Sequence, residues 1–193
     1  MKNWCYANIE NWYEYQLELQ LYANEVTRDM DPDDVYFYVQ QDKFFTACPE
    51  LRNLIETYYG KINRTTLFVV NSDQVMRKIG NNYIHIDGDK PHARLNWPVL
   101  NPESIVTRFF KAEDGYLGEK KRFREDAPST IYSINYDASR CTQVDEVCIN
   151  QPVIFNVKQP HGLFRAPGPL PRIMISFNFY DDSPLRSLLG INS

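Results

Sequence analysis

Eight short segments with a two-residue hydrophobic period, separated by Gly, Pro and Asn turns, predict a mainly β fold of the α+β kind. An antiparallel sandwich or barrel suits them better than alternating βαβ units. The aromatic content agrees, because 13 Tyr, 11 Phe and 3 Trp favour strands and deep, lined pockets. The period also changes along the chain: helix signals belong to the first sixty residues, and from Thr65 onward the segments shorten and alternate.

In order, Glu14 to Arg28 mixes strand and helix signals. Asp29-Met30-Asp31-Pro32-Asp33-Asp34 reads as a turn whose N-cap, proline and acidic residues open a helix. Its alternating aspartates are not a calcium loop, since the sixth position lacks Gly and Gln40 stands where Glu is needed. From Cys48 to Gly60 the spacing predicts an amphipathic helix, with Leu51, Leu54, Ile55 and Tyr58 on one face and Gly60 at its end. Strands are expected at 66–70, 83–87, 93–100, 104–110, 130–136, 143–148, 152–157 and 172–179. Between them, Lys111 to Ser129 is a polar excursion, and its mixed charges from Glu119 to Asp126 read as a solvated loop.

A chain of 193 residues is most simply one domain, with residues 1–60 as helical support and 65–180 as the β core. A composition 43% hydrophobic and 24% charged argues for a packed globule over disorder. The formal charge of −4 argues against a nucleic-acid partner. Cys5, Cys48, Cys141 and Cys148 show no C-x-x-C spacing, and the polar first fifteen residues are no secretory leader. Free thiols and a cytoplasmic location are therefore expected. No run approaches eighteen apolar residues, so no membrane span is expected. Fingerprints of hydrolases, P-loop NTPases and dinucleotide enzymes are absent.

The chemistry centres on three residues. His85 and Asp87 form an H-x-D pair at the end of a predicted strand, where residues i and i+2 share a face roughly 6.6 Å apart. Gly88 then gives the chain freedom to turn away. His161, after the 152–157 strand and a Gln159-Pro160 turn, is placed to supply a third ligand from another strand. Two imidazoles and one carboxylate suit Fe(II) and leave positions open for other ligands. An isolated H-x-D is weak; the bland reading makes Asp87 a turn former and His161 a loop residue. His92 reads as a loop histidine. Arg172 opens the apolar strand Ile173 to Phe179, and a buried guanidinium there needs an anion. Ser176 shares its strand face, while Arg165, nearer His161, competes for the role. Arg94 and Asn96 share a second face, lining a pocket on one reading and facing water on the other.

In their order and placement, His85-Ile86-Asp87, His161 and Arg172 with Ser176 resemble the 2-oxoglutarate/Fe(II)-dependent oxygenase superfamily, over roughly residues 65 to 180. The block Ala93-Arg94-Leu95-Asn96-Trp97-Pro98-Val99, with Thr107 on the next strand, looks like the aspartyl/asparaginyl β-hydroxylase-like branch. The best-known members of that branch lack the metal carboxylate, whereas Asp87 is present here. The resemblance implies a double-stranded β-helix (a distorted, cupin-like jelly roll) with the metal at one open end. It implies Fe(II) held by His85, Asp87 and His161, and 2-oxoglutarate chelated to it with Arg172 on the far carboxylate. Ser176, Arg94, Asn96 and Thr107 would surround that cosubstrate. The implied reaction hydroxylates a small-molecule or peptide substrate and releases succinate and CO2. Two other readings stand beside it: a cupin-type metal enzyme without the oxoacid, and a β-sandwich binding protein without a catalytic metal.

Overall fold

Strand β12 (Arg172–Phe179) is buried along its whole length and organises the first of two six-stranded sheets. The computed structural model describes residues 1–29, 36–38, 41–73, 83–88, 91–122 and 132–191. The first sheet has the order β1 (Trp4–Tyr6), β10 (Val153–Asn156), β5 (Ala93–Leu100), β12, β3 (Ile62–Val70), β2 (Tyr36–Tyr38). The second has the order β7 (Glu119–Arg122), β8 (Tyr132–Tyr136), β4 (Ile84–Asp87), β11 (His161–Arg165), β6 (Ile105–Ala112), β9 (Cys141–Cys148). Every pairing is antiparallel. The two sheets face one another as a double-stranded β-helix of the cupin-like, jelly-roll kind, with helices on the outer face of the first.

Alternation along β12 separates two environments. Ile173, Ile175, Phe177 and Phe179 point outward into a core shared with Leu95, Trp97 and Val99 of β5. Helices α1 (Gln16–Thr27), α2 (Gln41–Ala47), α3 (Pro49–Tyr59) and α4 (Ser183–Leu189) close over that face through Leu19, Phe44, Leu51, Ile55, Leu185 and Leu189. Each such side chain, fully buried, contributes roughly 1.5–3 kcal/mol. Arg172, Met174, Ser176 and Asn178 point the other way, between the sheets. Three polar groups on a strand with no solvent face mark a lined interior.

Pro98 lies in β5, where a proline removes a ladder donor. The register slips past Val99, so that Ile173 faces Leu100 and Met174 faces Pro98. The carbonyls freed at the slip are met from α1: Gln16 Nε2 donates to the oxygens of Pro98 at 3.0 Å and Val99 at 2.6 Å, and Gln20 Nε2 to Val99 at 3.0 Å. Thus the stretch with mixed signals is a helix whose amides complete the sheet.

Several expectations change. In α3 it is Tyr59 that is buried, hydrogen-bonding its hydroxyl to the Ala7 carbonyl, while Tyr58 is exposed. The expected loop from Glu119 contains a strand, β7, paired along its length with β8. His161, expected to contribute from another strand, begins one, β11, whose span the strand pattern did not delimit. The turn read at 29–34 falls largely on residues outside those described. No helix among the described residues is long and apolar enough to cross a membrane.

Candidate metal centre

Strands β4 and β11 run antiparallel with His85 directly opposite His161. Directly opposed residues project from the same face, so the two imidazoles converge, and Asp87, two residues on, joins them. The ring centroids lie 4.6 Å apart. One ligand atom from each of the three residues falls within 4.8 Å of the others, and His85 Nε2 is 3.7 Å from Asp87 Oδ1. The side chains of His85 and Asp87 keep 15% and 17% of their surface in solvent, which leaves an approach to the trio.

The protonation states suit ligation. Burial, reinforced by His161, pushes the His85 pKa down to about 3, and burial lowers that of His161 as well, so both rings are neutral near neutral pH. His161 Nδ1 lies 2.8 Å from the Gln159 carbonyl. Because a carbonyl only accepts, Nδ1 carries the hydrogen and Nε2 keeps its lone pair for a metal. Burial opposes ionisation of Asp87, but Arg94, then His161, His85 and Lys158, outweigh it and hold the carboxyl below its usual range. Arg94 Nη1 is 3.0 Å from Asp87 Oδ2. The Asp87 backbone is pinned at both ends: its N–H donates to the Val157 carbonyl at 3.0 Å, and its carbonyl accepts from Lys158 Nζ at 2.5 Å.

Two glycines beside the ligands permit close approach. A Cβ on Gly88 would lie 2.2 Å from ring carbons of Tyr132 and 2.7 Å from its carbonyl oxygen, and one on Gly162 would lie 2.7 Å from the Tyr83 carbonyl. Gly88 thus serves contact with β8 and not the turning freedom expected of it. Gly88→Ala should lower stability by about 1–3 kcal/mol, the range for overpacking. A chemical-denaturation midpoint equal to wild type would show that Tyr132 yields without cost.

Beside the trio lies a polar chain that sequence reasoning missed. Tyr83 stacks on His85 with centroids 4.7 Å apart, and its hydroxyl is 3.0 Å from Ser133 Oγ. Ser133 Oγ donates to Asn135 Oδ1 at 2.8 Å, so Tyr83 donates to Ser133. Ser133 faces Asp87, and Asn135 faces His85, across the β4–β8 ladder. Only the cross-strand register makes these residues neighbours of the site; the alternation of β8 was the one signal available.

Arg172 is 1% exposed. Its Nη2 lies 3.5 Å from Met174 Sδ, while Nε and Nη1 have no partner among the described residues. Burial, opposed weakly by Cys148, pushes its pKa down to about 10. Thr107 Oγ1 and Ser176 Oγ are likewise buried and without partners among the described residues. These groups belong to the interior that His161 faces. Thr107 is two residues from Phe109, which opposes His161 in the ladder with rings 6.1 Å apart. Phe109 packs in one cluster with Met174 and Phe155. Asn96, also buried, opposes Ser176 and lies two residues from Arg94. The rival Arg165 is engaged elsewhere, on Asp73 at 2.7 Å and on the carbonyls of Ser104, Ala166 and Gly168. His92 is exposed, with its backbone N–H on Asp182. A separate cavity of about 40 Å³ lies under α1, lined by Gln20, Val99 and Ile173, away from the trio.

No protein-family model matches this chain, and no curated protein matches it in sequence. Among solved structures, the chain is similar to the non-heme alpha ketoglutarate dependent epimerase SnoN from nogalamycin biosynthesis, with 8% identity and a TM-score of 0.44 over 91% of this chain and 76% of that one. It is similar to HygX from Streptomyces hygroscopicus with nickel and 2-oxoglutarate bound, at 10% identity and a TM-score of 0.43 over 90% and 80% of the two chains. AviO1 from Streptomyces viridochromogenes Tue57 shares 13% identity, with a TM-score of 0.44 over 95% and 92%.

Proposed function

We propose that this protein is an Fe(II)- and 2-oxoglutarate-dependent oxygenase. The observation that carries the reading is Arg172, a buried guanidinium without a carboxylate partner among the described residues, in the interior faced by a His–Asp–His trio. Burying an unpaired charge is costly, so the site is built for an anion that arrives from outside. His85, His161 through Nε2 and Asp87 through Oδ1 would hold the metal. Arg172, with Ser176 and Thr107, would grip the distal carboxylate of the oxoacid, a planar fork meeting a planar anion. Arg94 and Asn96 would line the same interior. When bound, iron and 2-oxoglutarate would let O2 act as the oxidant: one oxygen atom ends in succinate as the oxoacid loses CO2 and gives up two electrons, and the other ends in the hydroxylated substrate. Phe109, Phe155 and Met174 pack beside the trio and exclude water from that side.

The same reading takes residues 1–193 as one domain acting in the cytoplasm, where its four free thiols are stable. It takes a small molecule or peptide as substrate, and the segment Ala93–Val99 supports the aspartyl/asparaginyl β-hydroxylase-like branch. A visible charge-transfer band on anaerobic mixing with Fe(II) and 2-oxoglutarate tests the central claim. A metal enzyme that uses no oxoacid would bind iron without the band, and a binding protein would do neither.

Slow, iron-dependent release of succinate is expected from the purified protein under air. Asp87→Ala should abolish it, because the change strips one ligand and a compensating negative charge from the metal. Undiminished release in that variant would remove Asp87 from the site.

A further inference from the structure

We infer that Arg94 is a positioning residue that makes Asp87 a one-oxygen ligand, an inference that rests on the metal reading above. The ion pair bridges the two sheets, with Arg94 on β5 and Asp87 on β4. Arg94 Nη1 sits 3.0 Å from Oδ2, whereas Oδ1 points to His85 Nε2 at 3.7 Å. The two oxygens of one carboxylate are thereby assigned different tasks. Both side chains are largely withdrawn from water, 13% and 17% exposed, so the contact is less screened than a surface ion pair.

The rest of Asp87 has little freedom. Its N–H is fixed by Val157 and its carbonyl by Lys158 from the turn after β10. With the backbone pinned at both ends and Oδ2 held by a guanidinium, the carboxylate plane is set before any metal arrives. Arg94 also keeps the withdrawn carboxylate paired while the site is empty of metal. Two effects oppose each other once a divalent ion binds. The guanidinium repels the ion, but its charge is delocalised and lies against the far oxygen. Loss of a partner that orients a ligand typically lowers metal affinity about 10–100-fold, and we take this as the larger effect.

The test is calorimetric titration of Ni(II), without oxoacid, into wild type, Arg94→Gln and Arg94→Lys. Arg94→Gln should bind about 10–100-fold more weakly. Arg94→Lys, which keeps the charge and a donor but not the fork, should recover part of the loss. Visible spectra of the Co(II) forms should differ between wild type and Arg94→Gln, since a released carboxylate can turn to bind through both oxygens, and should return towards wild type in Arg94→Lys. A general folding defect would not produce that spectral rescue, and melting curves of the metal-free variants show whether one is present. Equal or tighter Ni(II) binding by Arg94→Gln overturns the inference, the second result meaning that repulsion dominates. If wild type itself takes up no Ni(II), the metal reading falls, and that failure is distinct because it precedes any comparison of variants.

Discussion

Arg172→Ala is expected to weaken 2-oxoglutarate by about 30-fold or more, since loss of a buried charged partner costs on the order of 2–5 kcal/mol and each 1.4 kcal/mol is a factor of ten. Arg172→Met carries the same loss with a second signature of opposite sign. The guanidinium is held among Met174, Cys148 and the interior of the sandwich, with two nitrogens unpartnered among the described residues. An apolar side chain of similar length removes that unpaired charge and packs in its place. The ligand-free Arg172→Met protein should be more stable than wild type by roughly 1–4 kcal/mol, the range seen when buried ionic groups give way to packed apolar ones. For a chain of this size that is a rise in melting temperature of roughly several degrees. Adding 2-oxoglutarate on top of saturating metal should then stabilise wild type further and shift the variant much less. Fluorimetric melting with and without the ligands reads both effects. A variant that is less stable and still binds the oxoacid would make Arg172 a structural residue and not the anchor of an anion.

His161→Ala should lower Ni(II) affinity by at least about 100-fold, because the loss of a direct donor exceeds the 10–100-fold that an outer partner commands. The effect on the metal-free fold should be modest. His161 is the first residue of β11, where its backbone bonds survive the substitution, and what is lost is ring contact with His85 and Phe109. His85 should also become easier to protonate, since His161 is one of the groups that hold its pKa down. Calorimetric titration checks the affinity and proton NMR the titration of His85. Equal Ni(II) affinity in the two proteins would take His161 out of the site.

The amino-acid sequence by itself determined whatever depends on the period of a single strand. The 93–100 and 172–179 strands were legible to the residue, because their alternation is sustained and bounded by prolines. The H-x-D pair was legible for the same reason: a strand places residues i and i+2 on one face wherever it ends up. Equally, Arg172 and Ser176 were assigned one face, and that face is the interior. Strand β7 was not legible, because Glu-Lys-Lys-Arg carries no apolar alternation; it is an edge strand held by its backbone ladder to β8. Strand β11 was hidden by its length and by a glycine at its second position. What only the tertiary structure decided is which faces meet. That His85 lies across from His161 is a matter of β4–β11 register, that Asn135 and Ser133 flank the ligands is a matter of the β4–β8 register, and that Arg94 grips Asp87 is a matter of one sheet stacking on the other. Register and stacking are set by long-range hydrogen-bond ladders and by the packing of Phe109, Phe155 and Met174 between the sheets, and neither leaves a periodic trace in any one segment. That Arg172 meets no carboxylate among the described residues belongs to the same class, since a local pattern can bury a charge but cannot tell whether a carboxylate from elsewhere in the chain comes to meet it.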